Sequence, residues 1–544
     1  MASSTSWRVS STLRMKLVTI AQTLILTIIP AGLFFSSNFL HAIAGPYHLS
    51  GIFDPEYVYL FNALNLLNLQ PPSHTLHPGT TLQVFGAIII LGKWISSCAV
   101  GACALLNDSV LHDPEAYLDT INTMLNLFIA SALVWAGIRV LRFSDRMLPA
   151  ITLQLTMLCF LQVSLALTRV STEPFLVLSA LVLILILIPD VFFRHAPPSE
   201  PDTARKAILT GGALGFGLAT KVTFFPLLSV VFLLQGRRNK LLAVFSCLAA
   251  FMVLTLPILS AYPSMAIWFG SILVHQGRYG SGAYGLPEID TLVENLAVLV
   301  SGAPFLFISL GFYVLTALSL KTLAPHDSVA PPSRIPALLW IGCVIIVVQI
   351  VVTVKHPGLN YMLPSMVFTG LLNAAVVFFH QTSRAYALPR TAVLIGVLAV
   401  GLSLNAVHLA AWVRDVEMDR FETKELLLET EKTDGCWRVG YYRSPLIEYA
   451  LVFGNGLSGH RYGDALQRLY PNAIFYNIWR NEFHSFVSSI ESRALVEQIR
   501  QGRCILLFGS PFTGQYAPYR AKLVLSPVFV MSQWALYKLV GVRS

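Results

Sequence analysis

Long apolar segments, most about 20 residues in length, alternate with short polar ones from residue 14 to residue 412. A helix of that length crosses ~30 Å of hydrocarbon, so the pattern predicts a polytopic α-helical membrane protein with about 11 spans. The predicted spans are roughly 14–35, 119–139, 147–167, 173–193, 207–220, 222–236, 240–260, 291–318, 336–354, 361–380 and 391–412. The fifth and sixth are short and are interrupted around Lys221, which predicts a bent pair lining a cavity.

The polar segment 36–118 follows the first span and is predicted as a long structured loop. Residues 57–69 combine an apolar face with an asparagine face, which predicts an amphipathic helix lying in the interface. Residues 80–104 are apolar enough to span the membrane, but a full span would move the basic run 139–146 to the opposite side. A second interfacial helix is therefore predicted for 80–104.

Basic residues are divided unevenly between the two sides of this predicted topology. Before residue 413, 16 lie on the side of the N-terminus and five on the other, namely Lys93, Arg169, Lys221, Arg278 and Lys355. This bias predicts a cytoplasmic N-terminus. The first apolar stretch exceeds the ~7–15 residues of a signal-peptide core, so it is predicted as a retained helix.

The composition changes after Trp412, where charged residues become frequent and no uninterrupted span follows. Short apolar runs at 437–442 and 505–509, with a helical pattern at 488–500 between them, predict an α/β domain over 413–544. The run 523–540 is predicted as strands or a surface helix. An odd number of spans places this domain on the external side, leaving 1–412 as the membrane domain.

Cys436 and Cys504 each stand one residue ahead of a predicted strand. If the two strands are parallel neighbours, ~4.7–4.9 Å apart, the cysteines lie within disulfide reach. An oxidising external compartment would maintain that bond. The alternative is two unrelated buried thiols.

The composition excludes an ordinary soluble domain. Hydrophobic residues make up 55% of the 544 residues and charged residues 12%, against ~25% charged in soluble proteins. The net charge of +9 is attributed to the cytoplasmic bias rather than to nucleic-acid binding. The remaining five cysteines lie in or beside apolar segments and are predicted as small core residues without metal-site spacing: Cys98, Cys103, Cys159, Cys247 and Cys343.

Unusual polar and aromatic residues converge at the external ends of the predicted spans, which predicts a cavity there. They are Asp54, Glu56, His77, Glu173, Lys221, His275, Arg278, Tyr279, Lys355, His356 and Tyr361. Six short motifs carry these residues: Asp54-Pro55-Glu56, His77-Pro78-Gly79-Thr80, Thr172-Glu173-Pro174, Gly217-Leu218-Ala219-Thr220-Lys221, His275-Gln276-Gly277-Arg278-Tyr279-Gly280, and Lys355-His356 before Tyr361-Met362-Leu363-Pro364.

In their order, these motifs resemble the GT-C superfamily of membrane glycosyltransferases, in the branch of aminoarabinose transferases and protein mannosyltransferases. The resemblance covers the chain to about residue 370. It implies a polyprenyl-phosphate sugar donor and inversion at the anomeric carbon. Two departures are Pro55, which separates two acids that are often adjacent in the family, and Gly79, which replaces a second proline.

The resemblance assigns Asp54 as the base that takes the proton of the acceptor hydroxyl; the alternative is a helix N-cap. Glu56 is predicted to share the catalytic site, binding acceptor or a divalent ion, or to be an acid that a helix first turn favours. His77 is predicted to touch substrate or orient its loop rather than bind metal. Glu173 binds substrate or has a structural role at a helix start.

The cations Lys221, Arg278 and Lys355, together with His356, offer charge to a phosphate. Lys221 has the alternative of reaching to the membrane interface. His275 belongs to the same substrate-binding set. Tyr279 and Tyr361 either stack on sugar or belong to the aromatic belt of the membrane boundary.

The sequence therefore predicts a bacterial inner-membrane glycosyltransferase that moves a sugar from a polyprenyl (undecaprenyl) phosphate to an acceptor hydroxyl on the external face. The acceptor is a glycan, a lipid or a protein, and the cofactor is none or a divalent cation. The glycines at 211–217 follow a basic turn rather than a strand, so a nucleotide loop is not predicted. The alternatives are a transporter or flippase and a lipid-linked polysaccharide ligase.

Overall fold

The structure is a computed structural model that describes residues 11–49, 55–192, 200–285, 287–323, 334–382, 387–433, 435–513, 517–518, 520 and 522–542. Asp54 and the side chain of Arg278 lie outside this described part of the chain. The helical region comes first and a mixed sheet follows it.

The α-helices are α1 (Ser11–Ala44), α2 (Glu56–Leu67), α3 (Thr80–Ala99), α4 (Leu106–His112), α5 (Pro114–Ser144), α6 (Met147–Met157), α7 (Leu161–Ala166), α8 (Thr172–Phe192), α9 (Glu200–Thr220), α10 (Arg237–Leu254), α11 (Tyr262–Val274), α12 (Ile289–Gly302), α13 (Pro304–Leu323), α14 (Ile335–Val354), α15 (Leu363–Thr382), α16 (Ala387–Glu431), α17 (Ile447–Leu457), α18 (Gly463–Leu469) and α19 (Ser492–Arg500). Single 3-10 segments are Tyr47–Leu49, Val222–Leu233, Leu256–Ala261, Arg278–Gly280 and Leu359–Met362.

Eight helices in the described residues are long and apolar enough to cross a membrane, or nine if α12 and α13, bent by 92°, form one span. The predicted class, a polytopic helical membrane protein followed by a smaller α/β domain, is confirmed. The predicted count of about 11 spans is not matched. The segment 147–167 breaks into α6 and α7, and the short pair around Lys221 becomes α9 and a 3-10 segment.

Helices α8 and α15 form the centre of the bundle. The described side chains of α15 are almost all buried, and α15 packs against both α6 and α8. Polar groups inside this core are bonded to one another: Asn373 donates to Thr156 Oγ1 (3.1 Å) and accepts from the Tyr313 hydroxyl (2.7 Å). Buried polar groups that are paired in this way avoid the cost of desolvation without a partner.

Helix α2 ties together one end of the bundle, called here the α2 end. The Tyr57 hydroxyl donates to Glu115 at the start of α5 (2.7 Å), and Glu56 binds Arg169 just before α8. The prediction that this helix lies in the interface is wrong at its asparagine face, where Asn62 and Asn65 are both fully buried. The reason is that α17 packs against this face and supplies the carbonyl acceptors described below.

Both ends of α3 also lie at the α2 end. At its start, Gly79 N donates to Thr220 O at the end of α9 (3.1 Å). Toward its other end, Lys93 donates to Ala116 O (2.5 Å) in the first turn of α5. A helix whose two ends touch the same end of the bundle runs across that end, although its length and composition would allow a span.

The C-terminal domain contains a seven-stranded sheet of order β4-β3-β2-β1-β5-β7-β6 in the described residues. Its strands are β1 (Trp437–Gly440), β2 (Ile474–Asn477), β3 (Glu482–His484), β4 (Ser489–Ile490), β5 (Ile505–Gly509), β6 (Leu523–Val530) and β7 (Ala535–Val542). Strand β1 is parallel to β2 and β5, and the other pairs are antiparallel. The run 523–540, for which strands or a surface helix were predicted, forms the hairpin β6–β7.

Helix α16 continues through Trp412 to Glu431, so the domain boundary predicted at residue 412 falls inside a helix. The charged segment after Trp412 interrupts the apolar pattern without interrupting the helix. Strand β1 begins only at Trp437. The membrane domain and the sheet domain therefore share one long helix.

Two disulfides are present in the described residues. Cys436 and Cys504 are bonded, with Cα atoms 4.5 Å apart, and they precede the parallel neighbours β1 and β5. Cys98 and Cys103 are also bonded, which corrects the prediction that both are core thiols. They flank the end of α3, where a short loop brings them together. The predicted core thiols Cys159, Cys247 and Cys343 are free and buried.

Candidate active site

A cavity of about 660 Å³ opens at the α2 end of the bundle. Its walls come from the loop before α2, the loop before α3, the starts of α8 and of the 3-10 segment Val222–Leu233, the segment 356–361, and α16. Seven of the predicted site residues line it: Glu56, His77, Glu173, Lys221, Tyr279, His356 and Tyr361. Helix ends meet here, and this brings together residues that are far apart in sequence.

Glu56 and Arg169 form a two-point ion pair in this cavity. Arg169 Nε lies 2.6 Å from Glu56 Oε1, and Arg169 Nη2 lies 3.0 Å from Oε2. The Glu56 side chain is fully buried, whereas that of Arg169 is one-third exposed. Because both carboxylate oxygens are held by one guanidinium, Glu56 fixes the position of Arg169 at the cavity wall.

Glu173 and Lys221 form a second, more deeply buried ion pair. Lys221 Nζ lies 2.6 Å from Glu173 Oε1, and Asn360 Nδ2 donates to the same oxygen (2.8 Å). The ammonium of Lys221 also lies over the Tyr361 ring, 4.8 Å from its centroid. Lys221 thus has both a carboxylate and an aromatic partner, which offset part of the cost of burying a charge.

The local backbone explains why Lys221 faces the cavity. Helix α9 ends at Thr220, and Lys221 is extended (φ −161°, ψ 138°), so the chain changes direction at this residue. After this change of direction the chain packs closely against the end of α9, because a Cβ on Gly217 would lie only 2.2 Å from the Phe224 ring. Gly79, with φ +62°, donates its N–H to Thr220 O and fixes the loop before α3 against this turn.

His77 lies in that loop and is half-buried. Its ring packs edge-on against Trp268 with centroids 4.8 Å apart, and its Nδ1 has no hydrogen-bond partner among the described residues. Burial, with a further contribution from the Lys221 charge, lowers the pKa of His77 to about 3. His77 is therefore neutral at physiological pH and presents an uncharged imidazole to the cavity.

Aromatic rings and a histidine form another wall. The hydroxyls of Tyr279 and Tyr361 lie 3.2 Å apart. The His356 ring packs against both, with centroids 4.5 Å from Tyr279 and 5.4 Å from Tyr361. Such rings offer flat, partly polar surfaces on which a sugar can rest.

Arg420 on α16 completes the cavity. Its Nη2 donates to Leu49 O (3.0 Å), whereas its buried Nε and Nη1 have no hydrogen-bond partner in the described part of the chain. Asp419 lies 4.0 Å from Nη2 and accepts from Trp534 Nε1 (3.0 Å). The Arg420 guanidinium therefore lines the cavity with part of its hydrogen-bonding capacity unused.

Some predicted site residues lie elsewhere. His275 bonds Gly282 O through Nδ1 (2.9 Å) and packs on Tyr284, outside the cavity lining. Lys355 is also outside the lining and donates to Ile272 O. Asp54 falls in the undescribed stretch directly before Pro55, which does line the cavity.

Across the described ranges, no group of three or more His, Cys, Asp or Glu side chains is arranged to hold a metal ion. Glu56 and Glu173 each bind a basic side chain instead.

Among solved structures, the chain is similar to the crystal structure of ArnT from Cupriavidus metallidurans bound to undecaprenyl phosphate. The two share 11% sequence identity with a TM-score of 0.48, and the match covers 97% of this chain and 98% of that chain. No family model and no curated protein matches the chain.

Sequence reasoning missed two cations of this cavity, Arg169 and Arg420. In the sequence, Arg169 was assigned to the external side but not to the site. Its position four residues before Glu173, between two apolar segments, could have indicated that it belongs to the site. Arg420 lies beyond the last apolar run, where nothing indicates that the helix continues. Only the course of α16 in the structure shows that Arg420 lines the cavity.

Proposed function

We propose that this chain is a membrane glycosyltransferase that moves a sugar from a polyprenyl-phosphate carrier to an acceptor hydroxyl at the α2 end of the bundle. The observation that carries the proposal is the cavity itself. It combines buried carboxylate–cation pairs, an arginine with unpartnered nitrogens and an aromatic wall at the boundary of an apolar bundle. Ionisable groups are costly at such a boundary and are typical of functional sites there.

The donor phosphate is assigned to the cations. Arg169 and Lys221 are already oriented by Glu56 and Glu173, so their positions cost little reorganisation when an anion enters. Arg420 also lines the cavity and adds a third positive charge for the phosphate.

Acceptor activation is assigned to Asp54. Its neighbours Pro55 and Glu56 line the cavity, and Glu56 is engaged with Arg169. In the reaction, the carboxylate of Asp54 takes the hydroxyl proton while the acceptor oxygen attacks the anomeric carbon. The bond from that carbon to the phosphate oxygen breaks, and polyprenyl phosphate leaves with its added negative charge next to the cations. A single displacement of this kind inverts the anomeric carbon.

The cavity is assigned to the external side of the bacterial inner membrane, with the N-terminus in the cytoplasm. Two disulfides support this orientation, because Cys98–Cys103 follows α3 at the α2 end and Cys436–Cys504 lies in the sheet domain. Disulfides persist in oxidising compartments. Alkylation of denatured, unreduced protein tests the assignment: labelling of all four cysteines before reduction would contradict it.

Two experiments test the function. Purified protein in micelles, given a polyprenyl-phosphate sugar and acceptor, should release polyprenyl phosphate and glycosylated acceptor, measured by mass spectrometry. A flippase would consume no donor. Comparison of the envelope glycans of the gene-deletion strain with those of the parent identifies the sugar and the acceptor; unchanged glycans would argue against the proposal.

Asp54→Asn should reduce transfer roughly 10²–10⁴-fold, since it removes the base with little change in shape. Asp108→Asn is the matched control, because Asp108 is an exposed carboxylate in the same 36–118 segment and is absent from the cavity lining. Normal turnover of the Asp54 variant would remove Asp54 from the mechanism. Loss of turnover in both variants would point to damage to the loop.

A further inference from the structure

A second cavity, of about 390 Å³, lies at the opposite end of the helical bundle. Glu173 begins α8 in the candidate active site, whereas Asp190 lies in the last turn of the same helix and lines the second cavity. At 1.5 Å per residue the two are roughly 26 Å apart along the helix axis. The second cavity is therefore separate from the proposed site of sugar transfer.

The second cavity has an excess of positive charge. Four basic side chains, Arg139, Arg205, Lys206 and Arg334, line it together with one acid, Asp190. Arg334 Nη1 lies 2.8 Å from Asp190 Oδ2, and Lys206 contacts the same oxygen. One carboxylate is thus shared by two basic side chains, and basic groups outnumber acids in the lining by four to one.

Two of these cations have no carboxylate partner within the described residues, namely Arg139 and Arg205. The Nε of Arg139 is also buried without a hydrogen-bond partner there. The rest of the wall is apolar and includes Leu185, Leu209 and Leu233. The guanidinium of Arg139 lies over the Phe143 ring, 5.6 Å from its centroid. A cavity that joins guanidinium groups without a carboxylate partner to an apolar surface suits an amphipathic anion.

We propose that this cavity binds the phosphate headgroup of an anionic membrane lipid. The cavity lies at the ends of α8 and α14, two helices long and apolar enough to cross a membrane, and helix ends are where headgroups lie when such helices span a bilayer. Basic pockets between membrane helices are suited to such headgroups. Inorganic phosphate shares the chemistry of the headgroup but makes no use of the leucine wall.

The test is competitive lipid binding to the full-length protein, measured by native mass spectrometry with equal amounts of dioleoylphosphatidylglycerol and dioleoylphosphatidylcholine. Wild type should retain phosphatidylglycerol preferentially. Arg139→Gln should lower that preference about fivefold, which corresponds to ~1 kcal/mol for one cation near an anionic headgroup. Arg205→Gln, at an exposed position, should have a similar effect.

Arg142→Gln is the matched control. Arg142 lies three residues further along α5, is exposed, and stacks on Trp135 outside the cavity. Its replacement should leave the preference unchanged. Equal preference in wild type and both cavity variants would overturn the proposal, as would an equal loss in the control. Displacement of the bound lipid by excess inorganic phosphate would overturn the assignment to a lipid.

Discussion

Replacing Lys221 by methionine would leave the carboxylate of Glu173 buried without its ammonium partner. The two groups lie 2.6 Å apart, and Lys221 and Glu173 are only 5% and 9% exposed. Removing one partner of a buried ion pair costs about 3–5 kcal/mol, because the remaining charge stays desolvated. We expect Lys221→Met to lower the free energy of unfolding by that amount.

The double variant Lys221→Met, Glu173→Gln removes both charges. Glutamine at 173 keeps an oxygen that can accept from Asn360, which now bonds Glu173 at 2.8 Å. Neutral replacements of buried ion pairs are often neutral or stabilising. We therefore expect the double variant to be more stable than Lys221→Met alone, with a coupling energy of at least about 2 kcal/mol in the double-mutant cycle.

Equilibrium unfolding in mixed micelles measures the stability of each variant, and release of polyprenyl phosphate measures transfer. Stability should recover in the double variant while transfer stays low, because the cavity has lost a cation for the donor phosphate. Lys424→Met, at an exposed position of α16, is the control and should change stability by less than about 0.5 kcal/mol. A coupling energy near zero would refute the reasoning about the pair. If the double variant recovered transfer activity together with stability, the role of Lys221 would be structural only.

Three further predictions concern separate parts of the molecule. Arg420→Gln should raise the KM for the donor about 10-fold or more, which corresponds to the loss of one hydrogen bond to a charged group. Arg414 is exposed on the same helix, so Arg414→Gln should leave the KM unchanged. Equal effects of the two substitutions would contradict the assignment of Arg420 to the donor phosphate. The pKa of His77 is about 3 in the folded protein and 6.5 in the unfolded chain, so below pH 6.5 the unfolded chain binds one more proton. The free energy of unfolding should therefore fall by about 1.4 kcal/mol for each pH unit below 6.5. Equilibrium unfolding of His77→Gln between pH 7.5 and 5 should lack this contribution, and the same pH dependence as wild type would refute the prediction. Cys436 and Cys504 are separated by 68 positions in the sequence. Replacing both by serine should lower the free energy of unfolding of the sheet domain by about 4 kcal/mol in the chain-entropy model. The variant should be cleaved faster by proteases, and an unchanged proteolysis rate would contradict the prediction.

Hydropathy and charge were sufficient to predict the polar end of the bundle. Glu173 and Lys221 are 48 residues apart in sequence, and each stands at the end of an apolar run, so the same topology places them on one side. The topology does not specify which of these residues touch. The pairing of Lys221 with Glu173 depends on the extended backbone at Lys221 and the tight contact between Gly217 and Phe224. Neither of these packing details produces a periodic pattern of residues that can be recognised in the sequence.

The count of spans and the boundary near Trp412 show where hydropathy stops being informative. A span that breaks into α6 and α7 keeps the same composition as a continuous one. A helix that leaves the membrane keeps its hydrogen bonds but loses its apolar pattern, as α16 does after Trp412. Arg420 was missed for that reason.

The sheet domain contacts two elements that line the cavity, α2 and α16. On one side, Asn62 Nδ2 and Asn65 Nδ2 of α2 donate to Leu457 O (3.2 Å) and Ser458 O (3.0 Å) of the sheet domain, next to the helix start that carries Glu56. On the other side, Glu422 of α16 accepts from the backbone N–H of Gln533 (2.9 Å) in the β6–β7 turn.

Because Arg420 lies half a turn before Glu422 on the same helix, the contact at the β6–β7 turn fixes how that helix presents Arg420 to the cavity. The contact with α2 fixes Glu56, and through it Arg169. The sheet domain therefore contacts both elements that position Arg169 and Arg420, although it contributes no predicted catalytic residue itself. We therefore expect Ser532→Ala, which removes a bond from the β6–β7 turn to Glu422, to raise the KM for the donor more than it lowers kcat; a lower kcat at unchanged KM would contradict this coupling.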